Sequence, residues 1–178
     1  MEISGAREGH VAIIGILKRC EIFVGLDDTD LQRIVDLPSC ECRSYQAEEI
    51  VFRAGEEAEC LYVLEEGQID LLIKGAGTSP YLPARAVICS ISKGGIFGWP
   101  ALVPPHVFSL TAICKSPSTI LSIRGEELRR LFQESPHIGL EVTNSLLRVI
   151  SSRFRYIEQL LVTGKKSPLF EIHTLSAE

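Results

Sequence analysis

Six cysteines, four histidines and a single tryptophan are where distinctive chemistry would begin in this 178-residue chain. Cys20, Cys40, Cys42, Cys60, Cys89 and Cys114 include no C-x-x-C pair. A tetrahedral zinc site needs ligands in close pairs, two to four residues apart, twice over. Only Cys40 and Cys42 are near neighbours, and the one intervening residue puts both on the same face of a strand. The cysteines therefore read as small hydrophobes in a reducing cytoplasm, with no metal ligands among them. His106, in the loop Pro104-Pro105-His106, lies three residues from Ser109. Nothing in the sequence orients that imidazole toward the hydroxyl, so no catalytic residue is assigned. The segment Gly94-Gly95-Ile96-Phe97-Gly98 is rich in glycine but lacks the Lys and Ser/Thr of a nucleoside-triphosphate loop. No nucleophile elbow, zinc-protease helix or dinucleotide fingerprint is present. The chain is not expected to be an enzyme.

The elements that must position these residues follow from hydrophobic periodicity. Residues 10–24 read as a helix with Val11, Ile14 and Leu17 on one side. Asp27 or Asp28 is a suitable N-cap for a short amphipathic helix carrying Leu31, Ile34, Val35 and Leu37, which Pro38 ends. From Ser39 the period changes from 3.6 to 2. Short apolar runs follow at 50–52, 60–64, 69–73, 86–91, 108–114 and 119–123, separated by turn signals such as Ala54-Gly55-Glu56 and Glu66-Gly67-Gln68. Strands at this spacing predict an all-β sandwich or barrel. Helical patterning returns at Gly125, first over 126–134 and then over about 136–163. The expected divisions are an N-terminal helical segment (1–24), a β-roll (25–124), C-terminal helices (125–163) and a mobile tail (164–178).

Composition narrows the class. Apolar residues make up 46% of the chain, charged residues 23%, and the net charge is −5. That suits a folded protein with its own core and excludes a broadly basic nucleic-acid surface. The longest stretch without Asp, Glu, Lys or Arg, Gly94–Cys114, holds three prolines and is no membrane helix. The N-terminus has an acidic second residue and no cleavage pattern, so a cytoplasmic protein is expected.

The last helical segment carries a heptad seam. Leu147, Ile150, Phe154, Ile157 and Leu161 are spaced 3, 4, 3, 4. A second row, Leu146, Val149 and Leu160, lies beside it, interrupted by Arg153. A helix of about 28 residues is about 42 Å long, more than one small domain covers. One row is expected to pack on the β-domain and the other on a second copy of the chain, giving a homodimer.

In this order, the elements and several phrases resemble the cyclic-nucleotide-binding domain of catabolite-activator-type regulators, kinase regulatory subunits and gated channels. The phrases are Phe23-x-Gly25-Leu26, Ile50-Val51-Phe52-Arg53-Ala54-Gly55-Glu56, Leu61-Tyr62-Val63-Leu64 leading to Gly67, and Gly94-Gly95-Ile96-Phe97-Gly98. The resemblance covers roughly residues 16–160. It implies a double-stranded β-helix, or jelly roll, mainly β with flanking helices, followed by a short helix and a long C-terminal helix. Gly55 and Gly67 fall at turns where such a fold needs positive φ.

The resemblance also implies a phosphate cassette, and here the sequence departs from the family. The family pattern resembles Phe-Gly-Glu-x-Ala-Leu, with an Arg nine residues after the Glu and a small residue next. The Glu takes the ribose hydroxyl and the Arg the cyclic phosphate. This chain reads Phe97-Gly98-Trp99-Pro100-Ala101-Leu102, then Phe108-Ser109. Trp99 stands at the Glu position and Phe108 at the Arg position. Losing a buried charge–phosphate pair costs roughly 2–5 kcal/mol, about 30- to several-thousand-fold in affinity. What remains is an amide cradle at Gly98, Ala101 and Leu102, with Pro100 tolerated in a first turn. cAMP and cGMP are expected to bind poorly or not at all.

Two uses of the pocket follow. Trp99, Pro100 and Phe108 could line it for a flat apolar ligand, or their rings could fill it and leave an interaction module. A haem or redox role would need grouped Cys and His near the N-terminus, and Cys20 stands alone. Only about 15 residues follow Thr163, too few for a helix-turn-helix, so direct nucleic-acid recognition is not expected. A protein target is the other expected partner.

Overall fold

The computed structural model describes residues 2–74 and 85–163. Its elements are α1 (Glu2–Lys18), α2 (Asp28–Val35), β1 (Glu41–Tyr45), β2 (Ile50–Phe52), β3 (Cys60–Glu66), β4 (Ile69–Lys74), β5 (Arg85–Ile91), β6 (Ile96–Phe97), β7 (Thr111–Cys114), β8 (Ser118–Arg124), α3 (Gly125–Glu134) and α4 (Pro136–Thr163). A single 3-10 turn, Trp99–Leu102, lies between β6 and β7. The strands form two four-stranded antiparallel sheets, ordered β1-β8-β3-β6 and β2-β7-β4-β5. This is the jelly roll with C-terminal helices that the period-2 runs and the resemblance led us to expect.

In the first sheet β3 and β8 are covered on both faces, whereas β1 is largely exposed. Leu61 and Val63 on β3, with Leu121 and Ile123 on β8, join a core that also holds Leu17, Leu31, Leu128 and Val142 from the helices and Phe23 from the turn after α1. Leu64 and Ile120, one residue out of phase, point into the barrel with Ile69, Ile91 and Phe97. A strand presents successive side chains to opposite faces, so one sheet serves both cores. Gly67 closes the turn between β3 and β4 at φ +95, and a Cβ there would meet the Pro117 carbonyl oxygen at 2.5 Å.

Two element boundaries differ from the sequence reading. The first helix runs Glu2–Lys18 rather than 10–24. It stops because the chain turns to bury Cys20, Ile22 and Phe23, which lie outside any helical stripe. The apolar run 108–114 becomes strand only from Thr111, because Phe108 bonds to the backbone of Gly55 and Glu56 and a bend at Ser109–Leu110 separates it from β7. Asp27 caps α2, its carboxylate accepting from the Asp30 amide at 2.9 Å.

In α4 the two apolar rows separate. Val142, Leu146, Val149 and Tyr156 are buried, whereas Leu140, Leu147 and Phe154 are 65%, 57% and 60% exposed. Ile150 and Ile157 are half-buried beside them. The side chains of Leu160 and Leu161, the Gly75–Pro83 loop and the tail 164–178 lie outside the described residues. No helix among the described residues is long and apolar enough to cross a membrane.

Candidate functional site

The cassette begins where β6 ends. Gly98 adopts φ +75, and a Cβ there would meet the Cys60 carbonyl oxygen at 2.8 Å and the Tyr62 ring at 2.7 Å. Only glycine takes that conformation with the backbone so close to β3. Trp99–Leu102 then form the 3-10 turn, with Pro100 in its first positions. The Ala101 amide donates to the Gly98 carbonyl at 3.1 Å, so the cradle is one donor short. Ala101 is fully buried. Its carbonyl accepts from the Arg129 guanidinium of α3, and Gly125 lets the start of α3 press directly on it.

His106 has a structural task. Its Nδ1 lies 3.0 Å from the Pro100 carbonyl oxygen, which can only accept, so that nitrogen carries the proton. Its backbone amide donates to Val103 and its carbonyl accepts from Ala58. The residue pins the loop after the 3-10 turn, at φ +56.

The barrel interior at the cassette is occupied by rings. Phe108 stacks on Phe52 with centroids 3.7 Å apart. Phe52 in turn lies 5.6 Å from Tyr62 and 6.0 Å from Phe97, and Tyr62 and Phe97 are 5.1 Å apart. A void of about 60 Å³ remains, lined by Phe52, Leu71, Gly98, Trp99, Pro100, Phe108, Ser109 and Leu110. That is room for about two waters, against roughly 300–1,000 Å³ for pockets that enclose drug-sized ligands. None of the eight lining residues carries a charge. Of the residues assigned from the sequence, Gly98, Trp99, Phe108 and Ser109 meet at this void; Ala101 and Leu102 do not line it. Trp99 also packs against the helical core.

Sequence reasoning did not single out Phe52, Tyr62 and Phe97 as the partners of Phe108. The alternation of β3 marks Tyr62 as inward, but β2 and β6 are too short to carry a period, and only the barrel brings the three rings together. It also passed over Arg129. A polar cleft of about 180 Å³ adjoins the 3-10 turn, lined by Glu57, Ala58, Glu59, His106, Arg124, Glu126 and Arg129. Arg124 is paired there with Glu59 at 3.5 Å, and three carboxylates make the cleft unsuited to a phosphate.

All six cysteines are free. Burial pushes the Cys20 and Cys40 thiols up to about 12 and raises those of Cys60, Cys89 and Cys114 as well. Thiols held protonated in this way are poor nucleophiles and poor ligands. Among the described residues no three His, Cys, Asp or Glu are grouped to hold a metal ion.

With this geometry in view, the comparison with known proteins is direct. The family model for the cyclic nucleotide-binding domain matches residues 42–135, which run from β1 through the cassette to the end of α3. This chain belongs to the cyclic nucleotide-binding domain family. Among curated relatives it is 28% identical over 133 residues to the cAMP-activated global transcriptional regulator CRP of Pasteurella multocida, covering 72% of this chain and 61% of that protein. It is 27% identical over 90 residues to a cAMP-dependent protein kinase regulatory subunit of Dictyostelium discoideum, covering 51% of this chain and 26% of that protein. The chain thus spans less than two thirds of the length of these relatives. Among solved structures, a cyclic nucleotide-binding domain from Methylobacillus flagellatus superposes with TM-score 0.73 at 15% identity, covering 92% of this chain and 88% of that one. The regulatory subunit of a cAMP-independent protein kinase A from Trypanosoma brucei superposes with TM-score 0.68 at 19% identity, covering 88% of this chain and 53% of that one. The cyclic nucleotide-binding fold is therefore kept here around an interior whose polar cassette positions hold aromatic rings.

Proposed function

We propose that this cyclic nucleotide-binding-type domain is a non-enzymatic, cytoplasmic regulatory module that no longer takes a cyclic nucleotide and works through protein contacts made by its C-terminal helices. The observation that carries the reading is the Phe108 ring stacked on Phe52, at the position the family resemblance gives to a phosphate-binding arginine. An anion placed there would lose its hydration against two apolar faces, with no offsetting charge. The small uncharged void supports the filled-pocket reading over a pocket turned to a flat ligand. The regulatory subunit of a cAMP-independent protein kinase A shares this fold.

The output surface is the outward row of α4, exposed Leu147 and Phe154 flanked by half-buried Ile150 and Ile157, which we assign to pairing with a second copy; Leu161 continues the heptad spacing in sequence. Exposed apolar side chains at heptad spacing suit helix pairing. Leu140 extends the row toward an apolar groove between α3 and α4.

The test is thermal unfolding with and without millimolar cAMP and cGMP. A ligand at 100 times its dissociation constant adds about 2.7 kcal/mol, several degrees at this size. No shift is expected with either nucleotide. A saturable rise would overturn the reading and make the chain a nucleotide sensor with unusual contacts. The companion variant is Trp99→Glu with Phe108→Arg; a gain of binding there would trace the loss to these two side chains alone.

A further inference from the structure

The edge of the first sheet at β6 is finished by an ion pair. On its inner side β6 pairs with β3, Ile96 opposite Val63, and the adjoining Gly95 carbonyl accepts from Leu64 at 3.0 Å. Among the described residues no strand lies on its outer side. There the Ile96 amide donates to Glu21 Oε1 at 2.9 Å, and the Ile96 carbonyl accepts from Arg153 Nη2 at 2.6 Å. The two side chains are themselves joined, Nη2 to Oε1, at 2.9 Å. Glu21 comes from the turn after α1 and Arg153 from α4, so three distant parts of the chain meet on one backbone residue. A sheet edge needs some such cover, but a strand or an uncharged side chain would supply it without burying charge.

Arg153 is only 9% exposed, and its Nε and Nη1 are buried with no hydrogen-bond partner. Among the described residues the guanidinium is thus held through one of its three nitrogens, while the other two are removed from water. A buried pair with incomplete bonding is close to balance between its attraction and its desolvation. Lifting α4 would hydrate the idle donors and so recover part of what the broken bonds lose. The pair reads as a latch with an accessible open state.

We propose that the Arg153–Glu21 pair couples α4 to the cassette. Ile96 is two residues before Gly98, and Arg153 is next to Phe154 in the outward row of α4. A roll or lift of α4 pulls the donor from the Ile96 carbonyl and frees the Glu21 carboxylate, so β6 loses its outer cover in the same event. Loosening of the cassette runs the same path in reverse. The coupling requires neither a nucleotide nor a second copy, and it stands or falls apart from the function proposed above.

Hydrogen exchange on the full chain tests this, comparing the native protein with Glu21→Gln and Arg153→Met. Both variants are expected to speed exchange at 146–157 of α4 and at 95–102 by one common factor, on the order of tenfold, with β3 and β8 unchanged. The sole tryptophan, Trp99, should become easier to quench with acrylamide in both. Faster exchange in α4 with an unaltered cassette would overturn the proposal, because the pair would then only hold the helix down. If a single variant loses protection throughout, the double variant Glu21→Leu with Arg153→Met removes both charges and keeps the bulk. In that background Phe108→Ala, whose ring packs inside the barrel and not on α4, should leave α4 exchange unchanged, whereas in the native background it should raise it. An equal response in the two backgrounds would also sink the latch.

Discussion

Phe108 shows how one side chain at a known frame position changes what a pocket is for. Its ring takes up space in the barrel and contributes to the core that Phe52, Tyr62 and Phe97 build. Truncating a buried phenylalanine costs about 3–5 kcal/mol. Phe108→Ala is therefore expected to lower the melting temperature by roughly 10 °C for a chain this size, measured by calorimetry, a loss that a residue kept only for ligand contact would not produce. The cysteines make a second prediction at this scale. The Cys20 and Cys40 thiols are pushed up to about 12 from an ordinary value of 9.0, so the fold keeps protons that the unfolded chain releases. Their contribution to stability is complete below about pH 9 and is lost as pH rises toward about 12. Thermal melts across that range should show the decline. At pH 8 a thiol reagent should label exposed Cys42 first and buried Cys20 only after denaturation.

Among the elements, the turns and caps are where sequence and backbone meet most closely. Gly55 and Gly67 both have positive φ, +90 and +95, but only Gly67 is crowded. Alanine in the left-handed region costs about 1–2 kcal/mol by itself. Gly55→Ala should show that cost and no more, because nothing lies near its Cβ. Gly67→Ala should cost clearly more, since Ser118 and the Pro117 carbonyl would have to move. Equal losses in urea denaturation would contradict this contrast. Asp27→Ala should remove about 1 kcal/mol by leaving the start of α2 uncapped. Short polar signals of this kind are legible from sequence because their partners lie a few residues away. β6 was not legible as a strand: two residues carry no period, and its pairing depends on β3.

For the whole molecule the decisive feature is the outward face of α4. Leu147→Glu combined with Phe154→Glu should leave the barrel's melting behaviour nearly intact, since both positions are exposed. It should convert a dimer to a monomer in size-exclusion chromatography with light scattering. A wild-type chain that runs as a monomer at all concentrations would remove the pairing assignment.

The sequence by itself determined the order of helix, strands and helices, the turn glycines, the cassette frame, and the absence of its acidic and basic side chains. All of these rest on residue type and short spacing, which local backbone physics reads directly. Tertiary structure decided what the replacements do. Four rings from separate segments had to converge before the pocket could be seen as filled, and strand pairing over long separations sets that convergence. It also decided which row of α4 faces inward, for on paper the row that Arg153 interrupts is the less apolar of the two, and it is the buried one. Arg153 is the plainest case. In sequence it interrupts a hydrophobic row; in the fold it is buried against a carboxylate 132 residues away. A charge's environment is set by what folds around it, and no window along the chain contains both partners.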